Sequence, residues 1–193
     1  SDVCSSDLSS GAKDLALIVN DGPDSFGTAV FTSNQIVAAP VIWSHQVVRD
    51  HQVKAVILNS GGANACTGPD GFADTHATAE KVAEALGISA SDVGVCSTGL
   101  IGIRLPLEKL LSGIPTTVAE LASSGLSDAA AAIMTTDSKP KISVTQRDGV
   151  TTTGIAKGAG MLAPSLATML SVVMTDAQVD PHLAAEVFTE VCE

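Results

Sequence analysis

Tyrosine is absent from this 193-residue chain, tryptophan occurs once, and aromatic residues make up 3% of it, against 45% for hydrophobic residues overall. A core with so few rings must be assembled from Ala, Val, Leu and Ile, and the length is enough to bury one. Positive charge is scarce too: 10 Lys and Arg face 21 Asp and Glu, a net charge of −11, and the basic residues form no cluster. Nucleic acids and anionic membranes are bound through a basic footprint, so neither is expected as a partner and small molecules are. No apolar run approaches the roughly 18 residues of a membrane span, and no basic segment followed by an apolar one opens the chain; the expectation is a soluble, cytoplasmic protein. Cys4, Cys66, Cys96 and Cys192 form no C-x-x-C pair, so neither a zinc site nor a disulfide framework is signalled, and buried free thiols are expected. The four histidines, His45, His51, His76 and His182, form no recognisable metal-ligand motif. They read as structural or surface residues, and no metal is expected.

What is present is an alternation of short apolar runs and longer amphipathic stretches. Leu15–Val19, Thr28–Thr32 and Ala55–Leu58 are bounded by Asn, Asp or Gly, the pattern of buried strands, and Val93–Val95 reads the same way. Between Asp70 and Leu86, residues Phe72, Ala73, His76, Ala79, Val82, Ala83 and Leu86 recur at three- and four-residue steps before Gly87, which predicts an amphipathic helix with a glycine stop. Helices are also expected over Pro106–Leu121 and Leu126–Met134, and a hairpin over Ile142–Gln146 and Thr151–Ile155 with its turn at Asp148-Gly149. The order favours a layered α/β domain. Asp180 as N-cap and Pro181 at the first helical position open a last helix that reaches Glu193 without a stop signal. At the other end, residues 1–8 lack apolar periodicity and read as a non-native, adapter-like segment outside the fold.

Three stretches carry chemistry. Lys157-Gly158-Ala159-Gly160-Met161-Leu162-Ala163-Pro164-Ser165-Leu166-Ala167-Thr168-Met169-Leu170 contains a threonine before an apolar run. Taken alone, Thr168 starts a strand. Exposed as a new N-terminus, it would have its own α-amine as a built-in base, titrating near pH 8. Cys96-Ser97-Thr98-Gly99-Leu100-Ile101-Gly102 follows a predicted strand and opens a glycine-bearing loop, which is either an ordinary turn or a place for oxyanion donors. Asn59-Ser60-Gly61-Gly62-Ala63-Asn64-Ala65-Cys66-Thr67-Gly68 is polar and glycine-rich after a strand but lacks the Gly-Lys-Ser/Thr ending of a phosphate loop; it suits the lining of a cleft and a brace for the Cys96–Gly102 loop. Lys157 is either a solvated lysine or a ligand for a substrate carboxylate. Gly158 to Ala163 formally satisfies G-x-G-x-x-A, but Pro164 would fall inside the required helix and the next apolar strand follows too soon for a βαβ unit.

These three motifs, in this order, resemble the ornithine acetyltransferases, the bifunctional glutamate N-acetyltransferases of arginine biosynthesis. The resemblance implies a helix-sheet-sheet-helix sandwich with the active site between the sheets, and self-cleavage between Ala167 and Thr168. It further implies Thr168 as nucleophile, Thr98 and Gly99 as the oxyanion hole, and Thr135 and Lys157 with Thr168 as substrate contacts. Acetyl would pass from N-acetylornithine to glutamate through Thr168 without a cofactor; acetyl-CoA serves some members as co-substrate. On this reading residues 9–167 are α-subunit-like, residues 168–193 begin a β-subunit-like part, and the whole is a fragment of a dimer of cleaved pairs. The same architecture also serves N-terminal-threonine aminopeptidases and amidohydrolases, and a fragment by itself is expected to be inactive.

Overall fold

A computed structural model describes residues 2–6, 13–159 and 168–192. In chain order the elements are β1 (Asp2–Ser6), β2 (Leu15–Val19), α1 (Ala39–Val47), β3 (Ala55–Asn59), α2 (Gly68–Leu86), β4 (Val93–Ser97), α3 (Leu107–Ala119), α4 (Leu126–Ala132), β5 (Lys141–Arg147), β6 (Val150–Lys157), β7 (Leu170–Thr175) and α5 (Pro181–Cys192). They form a four-stranded sheet in the order β1-β2-β3-β4 and a three-stranded sheet in the order β5-β6-β7. Among the described strands β3 and β4 are the one parallel pair, with α2 in the connection between them, as a parallel crossover requires.

The apolar run Leu15–Val19 has no polar side because both faces of β2 are covered. Leu15 and Leu17 join Ile57, Val93 and Val95 under Ala79, Val82 and Ala83 of α2 and Leu110 and Ile114 of α3. Ala16 and Ile18 face the opposite way and pack with Leu58, Ile155 and the alanines of α4, together with Leu170, Val172 and Met174 of β7. That second cluster is where the two sheets meet, and alanine in α4 lets them approach closely. The outside of the smaller sheet is open: β5 is exposed throughout, and α5 has no buried residue. No described helix is long and apolar enough to cross a membrane.

Four features depart from the sequence pattern. Asp2–Ser6, set outside the fold for want of an apolar pattern, pairs antiparallel with β2 from Asp2↔Val19 to Ser6↔Leu15; backbone pairing at an open edge needs no hydrophobic alternation. Thr28–Thr32 is not a strand but irregular chain, and Val30 stands exposed; the pairing nearby is a single bridge between Phe26 and Gln52. Helix α1 has little amphipathic pattern to announce it. Its Ser44 hydroxyl donates to the Val95 carbonyl at 2.8 Å and accepts from the Val95 N–H at 2.9 Å, and Trp43 Nε1 donates to the Val93 carbonyl at 2.9 Å, so α1 covers the edge of β4. On α2, Ala73 and His76 point outward, while Asp74, Thr75 and Thr78 are buried with Ala79, Val82 and Ala83, because those polar groups have partners there.

Ile155 is 1% exposed at the junction of the sheets. Ile155→Ala should therefore lower unfolding stability by about 2–5 kcal/mol in urea titration, whereas Val144→Ala on exposed β5 should change it by less than about 0.5 kcal/mol.

Candidate functional site

Lys157 closes β6 with a side chain that is 5% exposed. Strand alternation puts it on the same face as Ile155, toward the first sheet. An ammonium carried there must find acceptors, and it finds two hydroxyls: Nζ donates to Thr98 Oγ1 at 2.9 Å and to Thr135 Oγ1 at 2.7 Å. Its third hydrogen has no acceptor among the described residues. Burial pulls the ammonium pKa below that of an ordinary lysine, and Lys141 pulls in the same direction; Asp137 pulls back up.

Thr98 follows β4 directly. Its N–H is spent on the Asn59 carbonyl at 2.9 Å, which ties the ends of β3 and β4 together, and Ser97 Oγ donates to Asn59 Oδ1 beneath it. The Thr98 hydroxyl accepts from Lys157, so its own proton stays available. Gly99 has φ +132, and a Cβ there would lie 2.9 Å from Gly62 N and 3.0 Å from the Ser60 carbonyl; only glycine lets the two loops touch. The contact is fixed on both sides by Ala63 N–H to the Leu100 carbonyl and Gly102 N–H to the Ala65 carbonyl, each 2.9 Å. Further along, Arg104 grips buried Asp74 of α2 with two hydrogen bonds, Nε to Oδ2 at 3.0 Å and Nη2 to Oδ1 at 2.6 Å. Among the described residues, the Gly99 N–H has no acceptor.

Thr135 sits in the turn after α4, where Asp137 organises the backbone. The buried Asp137 carboxylate accepts from the Thr135 N–H at 3.4 Å, from the Gly158 N–H at 2.9 Å and from Lys141 Nζ. Burial raises its pKa, but these donors outweigh burial and hold it down at about 2. Thr135 and the neighbouring Thr136 are both exposed, and it is Thr135, not Thr136, that accepts a hydrogen bond from Lys157.

Thr168 lies two residues ahead of Leu170, which is the register partner of Lys157. It is therefore at the Lys157 end of the β6–β7 pair, partly buried. Ala167, Gly160 and Pro164 lie outside the described residues. The fold thus gathers Lys157, Thr98, Gly99 and Thr135 from three separate stretches and leaves Thr168 at the same strand end. Asn59 opens the glycine-rich stretch expected to brace the Thr98 loop, and its carbonyl takes the Thr98 N–H; Asp137 and the Arg104–Asp74 pair are supports without a motif, and Asp137 two residues after Thr135 is the one visible signal, since Asp readily caps its own turn.

Other residues fall elsewhere. β6 and β7 are antiparallel, so Gly158 to Ala163 does not belong to a parallel βαβ crossover. Cys66 and Cys192 are exposed rather than buried, because Cys66 sits in the loop before α2 and Cys192 on α5; burial pushes the Cys96 thiol up to about 11. His45 packs near Phe31, His76 near Trp43, and His51 near Phe26 and His182. No group of three or more His, Cys, Asp or Glu among the described residues is placed to hold a metal ion.

The depressed Asp137 pKa has a consequence for folding. A carboxyl titrating at about 2 when folded and 3.8 when free contributes stability that is fully present above about pH 4 and is lost as pH falls through about 2. Asp137→Asn should accordingly flatten the loss of stability across that interval in urea titrations at stepped pH, relative to the parent chain.

The ArgJ family model matches residues 2–193. Among curated relatives, the "Arginine biosynthesis bifunctional protein ArgJ" of Streptomyces coelicolor is 60% identical over 171 residues, 89% of this chain and 45% of that protein. The protein of the same name from Mycobacterium tuberculosis H37Rv is 58% identical over 180 residues, again 89% of this chain and 45% of that one. The chain spans about half the length of the curated relatives it matches. Among solved structures, ornithine acetyltransferase of M. tuberculosis in complex with ornithine superposes with TM-score 0.76 at 46% identity, covering 88% of this chain and 92% of that one. ArgJ of Bacillus halodurans gives TM-score 0.73 at 32% identity, covering 88% and 90%. With the motif order, the two packed sheets and the family match in agreement, this chain belongs to the ArgJ family.

Proposed function

We propose that this chain carries the nucleophile half of a cytoplasmic acetyltransferase of arginine biosynthesis, with Thr168 as the acceptor of the acetyl group. The observation that supports this best is the buried Lys157 ammonium bridging Thr98 and Thr135 at the strand end where Thr168 enters β7. In the first step Thr168 Oγ attacks the Ala167 carbonyl carbon, the Ala167–Thr168 C–N bond breaks, and the nitrogen leaves as an amine carrying the hydroxyl proton. Water then hydrolyses the resulting ester, giving an Ala167 carboxylate and Thr168 with a free hydroxyl and α-amine. β6 and β7 would hold the two pieces in one sheet afterwards, since their pairing runs from Thr152↔Thr175 to Lys157↔Leu170.

Acetyl transfer repeats the chemistry. Thr168 Oγ attacks the acetyl carbonyl of N-acetylornithine while its α-amine takes the proton. The developing oxyanion meets the Thr98 hydroxyl and the Gly99 N–H, and the proton passes to ornithine as its amine departs. Glutamate's amine then attacks the acetyl-threonine ester and restores the Thr168 hydroxyl. The Thr98 backbone N–H, engaged by Asn59, takes no part, so the hydroxyl is the threonine's donor. Lys157 has two duties: its third N–H, without an acceptor among the described residues, suits a substrate carboxylate, and its positive charge lowers the pKa of a nearby α-amine and keeps it basic. No step calls for a metal or an organic cofactor.

The lengths of the relatives support the processing step. The curated M. tuberculosis protein is matched over 45% of its length, whereas the crystallised M. tuberculosis chain is matched over 92%; the crystallised chain is thus about half of that polypeptide.

Intact mass of the denatured full-length protein should show scission between Ala167 and Thr168, and none in Thr168→Ala. An uncut parent would remove Thr168 as a self-processing residue. In cleaved protein, Thr98→Val should slow acetyl exchange between N-acetylornithine and labelled glutamate by about a hundredfold, mostly in kcat, the cost of one oxyanion donor; an unchanged kcat would assign that role elsewhere.

A further inference from the structure

We propose that Asp137 is the positioning residue of the Lys157 site, a buried carboxylate that fastens the backbone on both sides of the ammonium and so aims the Thr135 hydroxyl at it. One oxygen takes the N–H of Gly158, the residue next to Lys157, at 2.9 Å. The other takes the N–H of Thr135 at 3.4 Å, and Thr135 is the residue whose hydroxyl receives Lys157 at 2.7 Å. The carboxylate thereby ties the backbone at the end of β6 to the backbone of the turn after α4, alongside the side-chain link from Lys157 to Thr135. Asp137 itself is 8% exposed, so its charge acts in a region of weak solvent screening.

The same carboxylate sets the electrostatics. Two charged groups bear on Lys157: Asp137, which favours its ammonium form, and Lys141 of β5, which opposes it. Lys141 also donates to Asp137, which keeps the carboxylate ionised and partly offsets its field. Asp137 thus does two things for the lysine, holding its hydroxyl partner in place and balancing the cost of burying its charge.

The inference rests on Lys157 as a functional cation, but the experiment reads Lys157 itself, so it stands apart from any outcome of the cleavage assay. In the full chain with 13Cε-labelled lysine, the Lys157 signal is assigned by its loss in Lys157→Met and followed against pH by NMR. In Asp137→Asn, Lys157 should hold its proton about tenfold more weakly. Misfolding would give the opposite sign, since a released lysine returns to about 10.4. The Asn side chain has one acceptor oxygen in place of two, so hydrogen exchange at the Gly158 or Thr135 amide should also rise about tenfold, the worth of one charge-assisted bond. Lys141→Met, which keeps the carboxylate and deletes the opposing charge, should shift Lys157 the other way, toward tighter proton binding. A folded Asp137→Asn chain with Lys157 titrating unchanged, or with neither amide exchanging faster, overturns the proposal; should that variant fail to fold, an unchanged Lys157 in Lys141→Met overturns it.

Discussion

A lysine ammonium leaves water only if its hydrogens find acceptors and its charge finds a counterpart. In this chain the acceptors are two threonine hydroxyls from loops far apart in sequence, Thr98 after β4 and Thr135 after α4, and the opposite charge that favours its ammonium is the Asp137 carboxylate. Placing them around Lys157 requires the larger sheet, the α4 turn and the smaller sheet all to be in position. The cation is therefore a joint between three parts of the fold, and the packing beneath it serves to keep that joint closed.

That packing is built from small residues for a geometric reason. Ala129, Ala130 and Ala132 of α4 lie against Ala16, Leu58 and Ile155, and short side chains at a junction of two sheets and a helix let backbones come close enough for side chains to reach from one sheet to a loop of the other. Bulky aromatics would hold the layers apart. The few large rings in the sequence lie at the periphery, as with Trp43, whose Nε1 caps a carbonyl at the edge of β4. The same economy appears at Gly99, where the absence of a Cβ lets the Thr98 loop rest on Gly62.

Much of this was legible along the chain. Strands β2, β3 and β4, the hairpin of β5 and β6 with Asp148 and Gly149 both at positive φ, the Gly87 stop of α2 with φ 67 and the Asp180 cap of α5, which accepts from the His182 and Leu183 N–H groups, are all fixed by local signals. α1 was not, because its role is to satisfy the edge groups of β4, a partner it meets only in three dimensions. The polar inner face of α2 was misread for a related reason: Asp74 is buried only because Arg104 comes back to it across 30 residues of chain. β1 was missed because pairing at an open strand edge leaves no pattern in its own side chains.

The candidate site divides in the same way. The residue types proposed to do the chemistry, a threonine before an apolar strand, a Thr-Gly turn after another, a lysine closing a third, are properties of the linear sequence, because caps, turns and strand alternation are settled by neighbours a few residues away. Their convergence is not, since distances between loops depend on strand register and on how closely two sheets approach. The sequence by itself determined the layered α/β class and which residues stand as candidates for the site. Only the tertiary structure decided that Lys157 is shared between Thr98 and Thr135, that Asp137 braces it, and that the Thr98 hydroxyl rather than its N–H is left to donate, because each of those facts is a contact between segments that local forces never bring together.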